Sequence, residues 1–124
     1  MKEKNLREIS PLEVFFNFVD GRLRGAIVWY LAQQPSMRYC ELARNLPKTN
    51  PKILSQQLRT MERDGLITRM TFAEKPPRVE YKLTELGASM YPILHSAHLW
   101  AIEYVKQLPE EQAPITEDMR PCYK

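Results

Sequence analysis

Residues 39–65 read YCELARNLPKTNPKILSQQLRTMERDG, and this stretch decides the fold. Tyr39, Leu42, Ala43 and Leu46 recur at helical spacing and predict a short helix. Pro47-Lys48-Thr49 is the turn after it. Asn50-Pro51 opens the next helix. Asn50 is placed to cap it, and Pro51 sits at the first helical position, where a missing N–H costs nothing. Ile53, Leu54, Leu58 and Met61 are its predicted buried stripe, and Asp64-Gly65 ends it. Two helices joined by a tight turn form a helix-turn-helix.

Downstream, 66–72 and 78–83 read as two strands joined by Ala73-Glu74-Lys75-Pro76-Pro77. The second alternates strictly, with Val79, Tyr81 and Leu83 on one face and Arg78, Glu80 and Lys82 on the other, which marks a half-buried strand. The prolines of the connection stiffen the tip and leave no donor there for a foreign edge to pair with. Thr84 then caps a long helix to about Gln107. Its apolar positions Leu86, Met90, Ile93, Ala97, Trp100 and Tyr104 repeat every three or four residues, widened by Leu94, His98, Ala101 and Val105. Pro92 lies inside it and predicts a kink.

Upstream, Ser10-Pro11-Leu12-Glu13 reads as a capping box, followed by Leu12, Phe15, Phe16 and Val19 on one helical face, with Gly21 ending that helix. A second helix is predicted over 24–33. Its core, 26–31, is apolar all round, which places it centrally. Met37-Arg38 is a candidate short strand. The expected architecture is therefore mainly α with a small β-hairpin wing: a winged helix-turn-helix over 10–107, preceded by a flexible arm over 1–9. The helix over about 84–107 is expected to pair two copies. An acidic tail over 108–124, interrupted by Pro109, Pro114 and Pro121, is expected to order only on docking.

The 124 residues make one domain, and 44% hydrophobic with 27% charged content suits an ordinary globular core. No run is long enough to span a membrane, and no apolar stretch follows the first residues as a signal peptide requires. Cys40 and Cys122 are too few for a disulfide framework, so the expected compartment is the cytoplasm. The net charge of +3 is unevenly distributed: +2 over 1–47, +4 over 48–82 and −3 over 83–124. A basic middle fits a nucleic-acid surface. Outside the buried stripe of the second helix-turn-helix helix lie Lys52, Ser55, Gln56 and Arg59, with Lys48, Thr49 and Asn50 at its entrance. Gln pairs bidentately with adenine, while Lys, Arg, Ser and Thr hold phosphates or read guanine. Lys75 and Arg78 on the wing are candidates for the adjacent backbone or minor groove. The bland reading, a solvated face, holds for any one of these residues more readily than for the cluster.

Here the sequence resembles the HxlR-type winged-helix regulators of bacteria and archaea. The resemblance rests on Ser10-Pro11-Leu12-Glu13, Asp20-Gly21-Arg22, Tyr39-Cys40-Glu41-Leu42, the run from Pro51 to Arg59, the run from Glu62 to Ile67, and above all the run from Pro76 to Gly87. It covers about 10–104. It implies a homodimer that binds an inverted-repeat operator in double-stranded DNA and represses or activates transcription. Two departures stand out. Many members carry a cysteine where this chain has Ser10, so a thiol switch is impossible at that position. Where the family tends to Gly-Gly-Lys-Trp, this chain has Asp20-Gly21-Arg22-Leu23; Arg22 keeps the charge for a phosphate contact, and the aromatic is lost.

Other constellations favour quieter readings. Cys40, near the start of a helix, is the one candidate redox thiol, against the commoner fate of an inert small residue. His95 and His98, three apart, lack further ligands at metal spacing and suit polar interface contacts better. Trp29, Tyr30, Trp100 and Tyr104 suit core or interface packing, with a pocket for an unidentified small-molecule effector as the alternative. No phosphate loop, nucleophile elbow or dinucleotide fingerprint supports an enzyme, and no cofactor is implied. The expected dimer face comprises Phe15, Leu86, Met90, Ile93, Leu94, Ala97, Trp100, Ala101 and Tyr104. The competing function is a winged-helix module that binds protein partners without DNA, hinted at by Glu74 on the wing and the low net charge.

Overall fold

The structure is a computed structural model, and it describes residues 5–19 and 21–109. A 3-10 turn over Leu6–Glu8, capped by Asn5, precedes five helices and three strands: α1 (Pro11–Val19), α2 (Gly21–Leu31), β1 (Met37–Arg38), α3 (Tyr39–Asn45), α4 (Pro51–Arg63), β2 (Ile67–Phe72), β3 (Arg78–Leu83) and α5 (Glu85–Lys106). The arm expected over 1–9 thus contains this short turn, and residues 1–4 and the tail from 110 onward, Cys122 included, lie outside the described residues.

Three helix starts are capped by a side chain the sequence supplies. Ser10 Oγ accepts from Glu13 N at 3.2 Å, Asn50 Oδ1 from Ile53 N at 2.9 Å, and Thr84 Oγ1 from Gly87 N at 3.0 Å. Each satisfies an amide that the first helical turn otherwise leaves unpaired. Gly21 opens α2 rather than closing α1, so α2 begins three residues before the expected Arg24 and ends at Leu31. The apolar run alone could not reveal that start, because the first turn of α2 is polar. α5 runs on through Pro92: one missing hydrogen bond does not end a helix held on both sides of it.

The sheet has the order β1-β3-β2, all antiparallel. The two-residue β1 pairs Met37 with Tyr81 and ties the start of α3 to the wing. Val28, Leu31, Leu42, Leu46, Leu54, Leu58, Met61 and Leu66 are among the fully enclosed side chains, so α2 is central as its all-round apolar character required. Ile53 leaves the expected stripe: it is 45% exposed, on the outer flank of the first turn of α4. Helical spacing groups Ile53 with Leu54, but no element among the described residues reaches over that turn to cover it.

Two glycines set the passage from α4 through the sheet to α5. Gly65 has φ +83°, a left-handed conformation that ends α4 and starts the wing. Gly87 lies against the backbone: a Cβ there would stand 2.1 Å from the Leu66 carbonyl oxygen. Thr84 Oγ1 donates to Gly65 O at 2.6 Å and Thr84 N to Leu66 O at 3.1 Å, so the start of α5 is pinned to the turn after α4.

Candidate nucleic-acid interface

α3 and α4 form the helix-turn-helix and the β2–β3 hairpin follows as the wing. The turn is held by Thr49 N donating to Leu46 O at 3.1 Å and by Tyr39 donating its hydroxyl to Pro51 O at 3.2 Å. The second bond fixes the start of α4 to α3. Leu54, Leu58 and Met61 bury one face of α4, which turns Lys52, Gln56 and Arg59 out to solvent, with Ser55 half-buried on the flank. Lys48 and Asn50 are exposed at the entrance and Thr49 is half-buried. Asn50 Oδ1 is engaged as the cap of α4. Arg22 is exposed on the first turn of α2.

The wing separates the two residues paired in the sequence reading. Lys75 is exposed at the tip. Arg78 is engaged within the hairpin: its Nη2 lies 3.2 Å from Glu74 Oε2, its Nε 3.2 Å from Glu80 Oε2, and its guanidinium carbon 4.1 Å from the centre of the Phe72 ring. The Nε contact is an ion pair without hydrogen-bond geometry. Glu80 also accepts from Ser36 Oγ, so the wing is tied to the segment before β1. Arg78 therefore braces the wing, and the charge of Glu74 is spent on it. Glu74 was the sequence's hint of an acidic protein-binding tip, and this pairing accounts for it.

One residue that matters to α4 escaped the sequence reading. Arg24, 8% exposed, binds the polar flank of α4 through Gln57, Thr60 and Asp64. The available signal was a charged residue just before the apolar run 26–31.

The expected dimer face divides in two. Met90 belongs to the subunit's own core, and Phe15 and Leu94 pack against that core half-buried. Leu86, Ile93, Ala97, Trp100, Ala101 and Tyr104 remain exposed along α5, joined by Leu99, Ile102 and Val105, with Trp100 at 70% exposure and stacked on Tyr104 at 5.5 Å. Met90 and Leu94 lie on the same spacing as the others, but the first half of α5 rests on α2 and β3 and its inner flank is consumed there. Trp29 packs against Tyr91, His95 and His98 between α2 and α5, so both histidines sit in ring contacts. Tyr30 packs on the core. None of Trp29, Tyr30, Trp100 or Tyr104 lines the cleft of about 320 Å³ beside Tyr91, which Leu31, Pro35, Leu83 and Ala88 help form. Cys40 is exposed and unbridged, and Ser10 serves as a helix cap.

A model of the HxlR-like helix-turn-helix family matches residues 18–109. The chain belongs to this family. Among its relatives, the HTH-type transcriptional regulator YkvN of Bacillus subtilis is 38% identical over 95 residues, covering 77% of this chain and 80% of its own. An HTH-type transcriptional regulator of the archaeon Methanothermobacter thermautotrophicus is 38% identical over 96 residues, covering 77% of this chain and 72% of its own. The crystal structure of the HTH-type transcriptional regulator ytcD has a TM-score of 0.75 at 33% identity, over 80% of this chain and 100% of that one. Transcriptional regulators of both bacteria and archaea are thus among the relatives of this chain, and the ytcD structure has the same mainly α, winged helix-turn-helix fold. Among the described residues no helix is long and apolar enough to cross a membrane.

Proposed function

We propose that this HxlR-like, DNA-binding transcriptional regulator acts as a homodimer on an inverted repeat in double-stranded DNA. Each subunit lays α4 in the major groove of one half-site, the half-site centres about 34–36 Å apart. The observation that carries this is the outer face of α4: Lys52, Gln56 and Arg59 exposed on a helix whose opposite face is fixed in the core. In this reading Gln56 and Ser55 specify bases, and Lys52 and Arg59 hold phosphates or a guanine. Lys48, Thr49, Asn50 and Arg22 contact the flanking backbone, and Lys75 anchors the wing. Arg78 acts there indirectly, by stiffening the wing that carries Lys75. The exposed apolar length of α5, from Leu86 to Tyr104, supports pairing with a second copy.

The test is binding to a panel of duplexes selected from a random pool, across salt concentrations. Gln56→Ala is expected to relax preference at one base pair at a cost of about 1–3 kcal/mol there. Lys75→Ala is expected to weaken all sequences alike and to reduce the salt dependence by about one charge per subunit. A Gln56→Ala protein that discriminates among sites as the parent does would remove α4 as the reader and favour a role in binding protein partners.

A further inference from the structure

Arg24, outside the proposed DNA face, is the buried charged side chain among the described residues. All three of its guanidinium nitrogens are used. Nε donates to Gln57 Oε1 at 2.9 Å, Nη2 to Thr60 Oγ1 at 2.8 Å, and Nη1 to Asp64 Oδ2 at 3.1 Å and to Phe18 O at 3.3 Å. A buried guanidinium demands such pairing, because an unpaired charge taken out of water is strongly unfavourable. What matters is where the partners lie. Gln57, Thr60 and Asp64 follow one another by three and four residues and make a polar stripe along α4. At ~100° per residue this stripe lies roughly 90° around the helix from the apolar stripe of Leu54, Leu58 and Met61. Lys52, Ser55, Gln56 and Arg59 lie opposite the two together.

Two lines of attachment fix a rod against rolling where one does not. Apolar burial is non-directional, so the leucine stripe alone tolerates a small roll of α4 on α2. Hydrogen bonds weaken steeply off-axis, so the Arg24 fork does not. With side chains reaching ~5–6 Å from the axis, a roll of about 20° moves a tip by ~2 Å, enough to break a contact to a base edge. We propose that Arg24 is a positioning residue that fixes the roll of α4, and through it the sequence preference of the protein, without itself touching DNA. The proposal rests on α4 being the reading helix. Lysine in its place keeps the charge but cannot span three acceptors in one plane.

The experiment compares the parent, Arg24→Lys and Thr60→Val on the parent's preferred duplex, selected from a random pool, and on a scrambled one, across salt concentrations. Thr60→Val removes the Nη2 acceptor at nearly constant shape and with no change in charge. The ratio of preferred to scrambled affinity is expected to fall about tenfold in Arg24→Lys, the size of one base contact, and less in Thr60→Val. Scrambled affinity and the salt slope are expected to stay within about twofold of the parent. Parental ratios in both variants overturn the proposal, as does a parallel fall in both affinities, which marks general loss of folded protein. Should Arg24→Lys not fold, a parental ratio in Thr60→Val alone overturns it. A parent that prefers no sequence refutes the reading of α4 instead. Amide exchange in the DNA-free protein then decides the role of Arg24: faster exchange confined to α4 in Thr60→Val supports it, and unchanged exchange overturns it.

Discussion

At Gly87 a single hydrogen atom lies between the start of α5 and the backbone after α4. A Cβ there would stand 2.1 Å from the Leu66 carbonyl oxygen, and that oxygen cannot retreat because it accepts from Thr84 N. Gly87→Ala is expected to destabilise by about 1–3 kcal/mol, the range for forcing atoms into packed space, read by chemical denaturation. Gly65 is demanding for a different reason. Nothing crowds its missing side chain, but its φ is +83°. Gly65→Ala is expected to cost about 1–2 kcal/mol and Gly65→Asn less, since asparagine tolerates the left-handed region better. An equal loss in the two Gly65 variants would show that conformation is not the cause. Asn50 combines a cap and a place on the proposed DNA face. Asn50→Ala is expected to lose about 1 kcal/mol of stability in the absence of DNA, and Asn50→Ser to recover most of it.

At the scale of elements, the wing and α4 divide the work of binding. The wing is a three-strand sheet only because β1 joins it, and Arg78 holds its two long strands at the tip end through Glu74, Glu80 and the Phe72 ring. A residue so engaged contributes rigidity rather than a free charge. Arg78→Ala is therefore expected to weaken DNA binding with little change in the salt slope, and to speed amide exchange in the hairpin. Lys75→Ala should do the reverse, lowering the slope with unchanged exchange. If Arg78→Ala lowers the slope as Lys75→Ala does, Arg78 contacts phosphate directly and the internal pairing gives way on binding.

For the whole molecule the open question of packing is the second half of α5. Leu99, Trp100, Tyr104 and Val105 are at least half exposed on a helix whose first half is anchored on α2 and β3. None of the other described residues covers them, and a patch of this kind marks an association surface. Trp100→Glu is expected to shift the protein from dimer to monomer in light scattering at micromolar concentration while its helical circular dichroism is retained. A parent that is itself monomeric at that concentration removes the dimer from the proposed function.

The sequence by itself determined the element order, the family and three of the helix caps, though not the start of α2 at Gly21. Ser10, Asn50 and Thr84 act on amides three residues away, and the alternation of Val79, Tyr81 and Leu83 follows from the pleat of a single strand. Those are local interactions, and local chemistry is written in local order. Periodicity also selected which residues of α4 and α5 are apolar, but not which of them are covered. Ile53 and Met90 exchange the roles that spacing assigns them, because coverage depends on whether another element passes over that turn. Likewise Arg78 becomes a brace, and Arg24 reaches α4 across 33–40 positions of chain. Only the tertiary structure decided these, since a directional bond between distant residues leaves no period in the sequence that makes it.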